Sequence, residues 1–377
     1  MHHPKAIIVG AGIAGLSLAC LLEQKGFNVD ILEKDAYPTG ASIRNFGMIW
    51  PIGQPEGEAY NLAMRSRELW IDIAYRAHIP LLQTGSLHLA YHLPEWELLQ
   101  EVVGIFQEQG RQVELLQTQD ILQTYPMVQT EHLCGGMRSH EECIVNPREA
   151  ITGLIDYLNE KPLVHFHWNT PVCWVEPGKV YTRNSLFAAD VIFLATGADM
   201  HQLFPQLVSS QPLIKCKLQM LSLKDGLSDE RLGIPVCGGL SLLHYRSFQA
   251  ASSWNRLKNF LEQKKPEYMQ HGIHVMVAQM PSGNYIVGDS HEYGNHMDPF
   301  ERMDINILIL EELYRMLLPA RRWQITETWH GIYLKMTNDS FYWQEEIMPG
   351  TFVYNGLGGA GMTLSFGLAE KLIQSIC

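Results

Sequence analysis

The sequence predicts an α/β protein whose two parts interleave along the chain, and three observations support this prediction. Residues 5–9 form a short β-branched run, and a glycine-rich turn, a helical segment and a second strand follow it up to residue 32. This order makes a complete βαβ unit. Residues 190–195 have the pattern of another buried strand, and short strand-like runs recur between 213 and 290. The length of 377 residues suits two or three domains.

The composition excludes several classes of protein. Hydrophobic residues make up 46% of the chain and charged residues 18%, which excludes an intrinsically disordered chain and leaves enough apolar surface for a large core. The net charge of −12, with no basic block, argues against nucleic-acid binding. Seven cysteines without a CxxC pair indicate neither a disulfide scaffold nor a zinc module, so we expect reduced thiols in a cytoplasmic protein.

An uncharged segment, residues 6–22, resembles a signal peptide or a short membrane span. The segment is marginal in length for a span, and small turn-prone residues interrupt it. The glycine motif inside the segment explains it better, and we therefore expect no integral membrane segment.

The spacing of apolar residues places the remaining elements in chain order. Helices are predicted at residues 56–78, 98–109, 147–158, 300–318 and 364–376. Strands are predicted at residues 84–92, 217–223, 274–280, 285–287 and 351–355. Because no repeat, low-complexity stretch or linker separates two halves, the parts are expected to interleave.

The turn after the first strand has the spacing of a dinucleotide-binding motif. Gly10 allows the tight turn, Gly12 lets a pyrophosphate approach the backbone, and Gly15 lets the helix pack closely on the strand. The N-terminus of the helix binds phosphate through its free N–H groups and its dipole. Glu33, at the end of the second strand, is expected to accept hydrogen bonds from ribose hydroxyls. The predicted nucleotide contacts are Gly10, Ala11, Gly12, Ile13, Ala14, Gly15, Glu33 and Lys34.

Two further turns favour FAD over NAD. The strand at 190–195 ends in Ala195-Thr196-Gly197, which resembles the distal motif of flavoproteins with two dinucleotide domains; an ordinary core strand is the alternative. Near the C-terminus, a run with four glycines, residues 356–361, lies between a strand and a helix. A helix N-terminus there would stabilise the negative charge of a reduced flavin; a plain glycine turn is the alternative. The predicted contacts here are Gly359, Ala360, Gly361, Met362 and Thr363.

The βαβ unit, residues 145–148, the A-T-G strand and the run 356–367 together resemble the D-amino-acid oxidase family, which includes glycine oxidase and sarcosine oxidase. The resemblance implies a glutathione-reductase-type FAD-binding Rossmann domain with an interleaved mixed-sheet substrate domain. It also implies oxidation of a C–N bond, with hydride transfer to flavin N5 and hydrolysis of the imine. On this basis we assign residues 1–83, 145–212 and 322–377 to the FAD-binding domain, and residues 84–144 and 213–321 to the substrate-binding domain.

The resemblance also implies flavin contacts away from the first motif. They are Ser42, Arg44, Asn45, Phe46, Gly47 and Met48, which follow the second strand, together with Val172 and Gly331. In part of the family a cysteine attaches the flavin covalently. Met336 stands near that position in this sequence, so noncovalent FAD is expected.

The resemblance extends to a subgroup whose genes tend to lie near phosphonate-catabolism genes, and residues 41–55, 217–220 and 288–294 carry it. One departure concerns the substrate. Amino-acid oxidases of the family usually have G-x-R-P near the C-terminus, where the Arg clamps a carboxylate; Tyr333 stands in the Arg position here, and Lys335 follows. We therefore expect a small anionic amine, with a phosphonate favoured over a carboxylate, held by Lys335, Tyr333 and Arg44. A solvated surface lysine is the alternative for Lys335.

Two further residues are candidates for the substrate face of the flavin. Tyr245 lies in the sequence His244-Tyr245-Arg246, and His291 follows a strand. A solvated loop and a capped turn are the respective alternatives. Cys216 and Cys237 have no evident base partner and are expected to be structural.

Three functions remain open from the sequence. The first is an FAD-dependent amine oxidase or dehydrogenase with O2 or an unknown electron acceptor. A flavin monooxygenase that uses a nicotinamide cofactor would need a second G-x-G-x-x-G for that cofactor, and we assign none to it, because the run at residues 356–361 is assigned to the flavin. A flavoprotein with a non-catalytic binding role is not excluded, and the oligomeric state is not indicated.

Overall fold

The computed structural model describes residues 3–225, 231–318 and 323–376. Within them the strands are β1 (Lys5–Val9), β2 (Asn28–Leu32), β3 (Met48–Ile49), β4 (Leu81–Gln83), β5 (Ser86–Ala90), β6 (Val113–Leu116), β7 (Gly135–Ser139), β8 (Cys143–Val145), β9 (Val164–His167), β10 (Val172–Glu176), β11 (Lys179–Thr182), β12 (Leu186–Ala188), β13 (Val191–Leu194), β14 (Leu213–Asp225), β15 (Val236–Cys237), β16 (Met276–Gln279), β17 (Tyr285–Gly288), β18 (Glu292–Gly294), β19 (Trp323–Met336), β20 (Trp343–Met348) and β21 (Thr351–Asn355). The helices are α1 (Ile13–Gln24), α2 (Glu58–Arg76), α3 (Leu93–Glu108), α4 (Thr118–Thr124), α5 (Pro147–Asn159), α6 (Met200–Leu203), α7 (Pro205–Ser210), α8 (Ser241–His244), α9 (Trp254–Lys264), α10 (Pro266–Gln270), α11 (Met303–Met316) and α12 (Gly361–Ile376).

A six-stranded sheet contains the predicted βαβ unit. Its order is β20-β21-β13-β1-β2-β9; the five strands from β21 to β9 pair in parallel, and β20 pairs antiparallel with β21. Ile8 in the central strand β1 pairs with Phe193 on one side and Ile31 on the other, and all three are buried because helices cover the sheet. The predicted α/β fold class is confirmed.

The second large sheet of the structure is mixed and has more strands than the first. Its order is β18-β14-β17-β16-β15-β5-β7-β6, and β19 also pairs with β14, along the whole length of that strand. The pairing of β14 and β19 runs from Leu213 opposite Met336 to Asp225 opposite Trp323. The β15–β5 pair is parallel and the other pairs are antiparallel. This is the mixed sheet that the family resemblance implies.

Two small sheets complete the fold. One is the antiparallel meander β10-β11-β12, which follows β9 in the chain. The other, β3-β8-β4, joins the chain after residue 47 to the segment that precedes α5, with Met48 opposite Ile144. This pairing holds the loop of residues 41–48 in place.

The structure corrects several predicted boundaries. Helix α3 begins at Leu93 rather than 98, because Pro94 suits the first turn and the Glu95 carboxylate accepts from the backbone N–H of Tyr91 and His92. Strand β14 begins before residue 217, and strand β19 was not predicted. The domain division stays a prediction, and β19, which that division assigns to the FAD-binding part, pairs with β14 of the larger sheet. Among the described residues, no helix combines the length and apolar character that a bilayer span requires.

Candidate active site

Two cavities lie beside the carboxyl ends of the parallel strands. The smaller, about 250 Å³, is bounded by residues that end or directly follow β1, β2 and β13, including Gly10, Glu33 and Thr196. The larger, about 1030 Å³, extends from the loop of residues 41–48 to strand β19 and the mixed sheet. In open parallel sheets, ligands bind at this edge.

The glycines of the first motif are required by contacts with backbone atoms. Gly10 has a φ of +105°, and a Cβ there would lie 2.5 Å from the carbonyl oxygen of Ala195. A Cβ on Gly15 would lie 1.9 Å from the carbonyl oxygen of Gly10. The turn therefore packs against both β13 and α1 at distances that only glycine allows.

Side chains from distant segments accept from two N–H groups around the start of α1, those of Ile13 and Ala11. Gly12 occupies the N-cap position and supplies no side chain, and the N–H of Ile13 donates to Ser42 Oγ at 2.9 Å. The N–H of Ala11 donates to Glu33 Oε2 at 2.9 Å, and the other oxygen of Glu33 accepts from the N–H of Asp35 at 3.2 Å. Glu33 is thus held at the edge of the smaller cavity, and its ribose contact stays a prediction.

The structure brings five of the predicted cofactor contacts to the smaller cavity. Lys34, Val172 and Thr196 line it together with Gly10 and Glu33. The members that line neither cavity are Ala11, Gly12, Ala14, Gly15, Gly47, Ala195 and Gly197. These residues belong to the turns and strand ends next to residues that line the cavities, and their cofactor contacts stay predictions.

The loop of residues 41–48 is held by its own amide side chain. Asn45 Nδ2 donates to the carbonyls of Ala41 and Ser42 at 3.0 and 2.9 Å, and its Oδ1 accepts from the N–H of Gly47 at 2.7 Å. Gly47 has a φ of +69°, and a Cβ there would lie 1.8 Å from the carbonyl oxygen of Val145. The loop therefore presents its predicted residues to the larger cavity, namely Ser42, Arg44, Asn45, Phe46 and Met48.

The glycine run near the C-terminus, residues 356–361, also lines the larger cavity. Gly356 and Gly358 have positive φ values of 71° and 58°, which turn the chain from β21 into α12. Thr363 Oγ1 accepts from the buried N–H of Trp50 at 3.0 Å and so joins α12 to the segment that follows β3. The predicted contacts Gly359, Ala360, Gly361, Met362 and Thr363 all line the larger cavity.

Strand β19 forms one wall of the larger cavity. Gly331, Tyr333 and Lys335 alternate along the strand and all line the cavity. A Cβ on Gly359 would lie 3.3 Å from the Tyr333 hydroxyl, so the glycine run packs directly on this wall. Burial raises the pKa of Tyr333 well above its ordinary value, which keeps the hydroxyl a neutral donor.

Lys335 and Arg44 both line the larger cavity, but they donate to different hydrogen-bond partners. Lys335 Nζ donates to the Tyr293 hydroxyl at 3.3 Å and lies over that ring, 5.2 Å from its centre. Arg44 Nη1 donates to the carbonyl oxygen of His330 at 3.1 Å, so part of its guanidinium serves to join the loop to β19. The grip of either residue on a substrate stays a prediction.

A cluster of histidines stands on the mixed-sheet side of the cavity. His244, His274 and His291 line it with Asp289 and Tyr245. The rings of His244 and His274 stack with centres 3.7 Å apart, and burial lowers the pKa of His291 to about 4. Burial alone would raise the pKa of Asp289, yet the neighbouring His291 and His274 hold it below its ordinary value.

Sequence reasoning identified part of this cluster and missed the rest. Tyr245 and His291 were predicted, whereas His274 and Asp289 were not. The N–H of His274 donates to the carbonyl of Asp289 at 3.1 Å, and the N–H of Asp289 donates back at 3.0 Å. Pairing the predicted strands at 274–280 and 285–287 as a hairpin would have been the signal. Cys216 and Cys237 are fully buried and burial raises the pKa of both thiols, that of Cys216 to about 12.

Comparison with known families gives a match over nearly the whole chain. The model of the DAO family, described as FAD dependent oxidoreductase, matches residues 5–375. The matched region includes both cavities and all the site residues described above.

Solved structures with the same fold have low sequence identity. Glycine oxidase from Geobacillus kaustophilus superimposes with a TM-score of 0.79 at 18% identity, covering 100% of this chain and 94% of that one. L-proline dehydrogenase from P. horikoshii gives 0.79 at 18% identity, with 100% and 93% covered. Iminodiacetate oxidase from Chelativorans sp. BNC1 gives 0.78 at 16% identity, with 98% and 95% covered. At these identities the likeness shows the fold.

Curated relatives match over parts of their length. An FAD-dependent urate hydroxylase of Klebsiella pneumoniae is 47% identical over 51 residues, which are 13% of this chain and 12% of that protein. The tRNA 5-methylaminomethyl-2-thiouridine biosynthesis bifunctional protein of Hydrogenovibrio crunogenus is 27% identical over 212 residues, 52% of this chain and 31% of that protein. The match therefore spans less than a third of either relative.

Proposed function

We propose that this chain, which belongs to the DAO family of FAD-dependent oxidoreductases, oxidises the carbon–nitrogen bond of a small anionic amine whose favoured anionic group is a phosphonate. The predicted family and the choice of FAD over NAD are confirmed by the family match over residues 5–375. The observation that carries the substrate proposal is the pair Tyr333 and Lys335 on the cavity wall, where amino-acid oxidases of the family usually have an arginine.

The residues present fit FAD. The smaller cavity has the Glu33 carboxylate beside the glycine turn, which suits the ribose of the adenosine half. The start of α1 offers phosphate-binding backbone, since Gly12 has no side chain to block an approach. The start of α12, with Gly361 and Met362 at the larger cavity, suits the electron-rich edge of a flavin. Met336 in the cavity wall offers no thiol for attachment, which supports noncovalent binding.

The chemistry divides between the cofactor and the chain. FAD, when bound, supplies the N5 position that accepts a hydride from the carbon next to the amine. The chain's part is to bind the anionic end of the substrate, to orient the C–H bond and to exclude water. Tyr245 and Trp50, which line the cavity, give it an apolar aromatic wall for that purpose.

The charge of Lys335 supports an anionic substrate. Among the described residues Lys335 forms no ion pair, and its ammonium bonds to the neutral phenol of Tyr293. Because no described carboxylate pairs with this ammonium, its charge is available to a ligand in the cavity. An ammonium is a point donor without the planar fork of arginine, so it lacks the bidentate match to a carboxylate and can bind any one of the three oxygens of a phosphonate.

The geometry of Tyr333 supports the same class of ligand. Its hydroxyl stays protonated because burial raises its pKa, and the hydroxyl lies on the same strand face as Lys335. Several separate donors on one wall match a tetrahedral group with several acceptor oxygens. The glycine oxidase, proline dehydrogenase and iminodiacetate oxidase that share the fold act, by their names, on amines or imino acids, which supports an amine as the reacting group.

The test is the steady-state kinetics of Lys335→Met on the best aminoalkylphosphonate from a panel of primary and secondary amines. Loss of one charge-assisted hydrogen bond is expected to lower kcat/KM by about 10- to 150-fold. Lys335→Arg should recover part of the loss, because the charge remains. Lys258→Met, which removes an exposed lysine of α9, is the matched control and should leave kcat/KM unchanged.

Two results would contradict the proposal at different levels. An unchanged kcat/KM in Lys335→Met, or a preference for glycine and sarcosine over every phosphonate, would reject the anion-binding role. A purified protein from which denaturation releases no flavin would reject the flavin chemistry as a whole.

A further inference from the structure

We propose that His244, His274 and His291 form a binding site for a divalent transition-metal ion of the zinc class in the wall of the larger cavity. One ring nitrogen from each residue lies within 4.8 Å of the others. Three imidazoles that bind one zinc ion at about 2.0–2.1 Å have their nitrogens roughly 3.4 Å apart, so small rotations of the side chains close the remaining difference.

The fold places the three rings against one another from separate elements. His244 is the last residue of α8, His274 precedes β16, and His291 follows β17. The N–H of His291 donates to the carbonyl of His271 at 2.9 Å, which holds the turn after β17 against the turn before β16. The ring centres of His244 and His274 lie 4.6 and 5.1 Å from that of His291.

Buried polar atoms without partners point to a missing ligand. His274 is 3% exposed, and neither of its ring nitrogens makes a hydrogen bond to any residue that the structure describes. Oδ1 of Asp289, which is 4% exposed, likewise has no hydrogen-bond partner within the described part of the chain. His274 Nε2 lies 3.0 Å from this oxygen, but the contact has the distance of a hydrogen bond without its direction. Buried groups in this state are rare and costly; a bound cation would give His274 a partner and would offset the charge of the Asp289 carboxylate.

The surroundings resemble the outer shell of a metal site. His291 Nδ1 lies 3.2 Å from the carbonyl oxygen of Gly272, which leaves Nε2 directed away from that backbone contact. The Asp289 carboxylate lies beside both His274 and His291, at 3.0 and 3.8 Å. Metal-bound histidines characteristically donate their second N–H to a carbonyl or a carboxylate of this kind.

The donor set and its exposure define the class of ion. Three imidazole nitrogens suit zinc, cobalt, nickel and copper, whereas magnesium and calcium prefer oxygen ligands. Since all three histidines line the larger cavity, the fourth coordination position faces the cavity and takes water or an anionic ligand. The negative charge of Asp289 offsets part of the charge of the ion.

The experiment measures metal binding directly on the FAD-bound protein. His2 and His3 are adjacent imidazoles that could bind metal outside the proposed site, so every protein carries His2→Ala and His3→Ala. After treatment with EDTA and gel filtration, each protein is equilibrated with ZnCl2, filtered again and assayed for zinc by mass spectrometry. Co2+ in place of Zn2+ reports coordination through its d–d absorption at wavelengths longer than those of the flavin band.

The expected result is about one Zn2+ per chain in the background protein and in His140→Ala. His140→Ala is the matched control, because this exposed histidine pairs with Glu114 away from the cavity. His274→Ala and His244→Phe should each lose the zinc and the d–d bands while keeping FAD, and retained FAD shows that the variant has folded. His244→Phe keeps an aromatic ring in the stack, so at least one variant is expected to fold.

Two outcomes would overturn the site. The first is a folded, FAD-bound background protein that retains no zinc above the level of buffer. The second is zinc retention that is equal in the background protein and in whichever cluster variant keeps FAD. Both outcomes are independent of substrate turnover, so they do not bear on the proposed amine oxidation.

Discussion

The two ends of the proposed site are built in different ways. We call the glycine turn at the smaller cavity the nucleotide end, and the side chains that line the larger cavity the substrate end. At the nucleotide end, Gly10 and Gly15 are required by backbone atoms 2.5 and 1.9 Å from where a Cβ would stand. The substrate end is made of side chains, among them His274, Tyr333 and Lys335, that long-range strand pairing brings to one cavity. A site formed by backbone atoms can be recognised from one contiguous sequence motif. A site formed by side chains depends on the register in which distant strands pair.

The two ends also differ in how they tolerate change. The nucleotide end allows almost no added volume, since its contacts are to main-chain carbonyls that cannot move alone. The substrate end contains buried ionisable groups, and its properties depend on their protonation. Steric changes should therefore damage the first end, and charge or pH changes should act on the second.

The largest effect is expected from Gly15→Val. A Cβ at this position would stand 1.9 Å from the carbonyl oxygen of Gly10 and 3.1 Å from Ile8 Cγ2, so α1 must move away from β1. We expect protein without bound FAD, measured as flavin absorbance per chain after gel filtration. Gly104→Ala is the control, because a Cβ there meets nothing within 4 Å and alanine favours the helix by about 1 kcal/mol. Normal FAD content in Gly15→Val would contradict the backbone account of this end.

A pH effect on stability is expected from Glu142, which bonds to the segment that lines the larger cavity. This carboxyl is fully buried, accepts from the N–H of Ile52 and from Ser86 Oγ, and burial raises its pKa from an ordinary 4.5 to about 7. The folded protein therefore keeps a proton that the unfolded chain has lost, and the free energy of unfolding falls as the pH rises between these two values. The loss amounts to about 3 kcal/mol.

Glu142→Gln should remove this dependence. Urea unfolding at about pH 5 and about pH 8 should show the wild type losing stability relative to the variant. Glu160→Gln, at the exposed end of α5, is the control and should follow the wild type at both pH values. Parallel curves for wild type and Glu142→Gln would mean that this carboxyl is not held in its neutral form.

A smaller effect is expected from Glu33→Ala. The Glu33 carboxylate accepts from the N–H of Ala11 at 2.9 Å, and we expect it also to accept from the ribose. Its loss should weaken FAD binding by about 10-fold, the value of a hydrogen bond to a charged group. Glu33→Gln, which keeps one acceptor oxygen, should be less affected. If dissociation of FAD, followed by flavin fluorescence, is the same in wild type and Glu33→Ala, the ribose role of Glu33 is wrong.

The smallest effect is expected from Ser42→Ala. Ser42 Oγ accepts from the N–H of Ile13 and acts as a cap for α1 that comes from another segment. Removing a cap of this kind should cost about 1 kcal/mol of stability and lower Tm. Ser209→Ala is the control, because among the described residues that exposed hydroxyl bonds only to the carbonyl of Pro205 within its own short helix. A Tm equal to that of the control would show that this cap contributes nothing.

The reach of sequence reasoning follows the same division. The βαβ unit and the strand of residues 351–355 were predicted because apolar periodicity and turn residues are local signals. Strand β19 was missed because polar and apolar residues mix along it, and its identity depends on pairing with β14. His274 and Asp289 were missed because they meet only when the strands predicted at residues 274–280 and 285–287 pair as a hairpin. The sequence indicated Arg44 as a substrate ligand but not that Arg44 Nη1 donates to the carbonyl of His330.

The most direct test of the central claim is the anaerobic rate at which a matched pair of amines reduces the bound flavin. One member is an aminoalkylphosphonate, and the other is the amino acid of the same chain length with a carboxylate in place of the phosphonate. With Lys335 and Tyr333 on the cavity wall, stopped-flow absorbance should show faster flavin bleaching by the phosphonate, with a preference of at least about 10-fold in the apparent second-order rate constant. Equal rates, a preference for the carboxylate, or no bleaching by either amine would contradict the account.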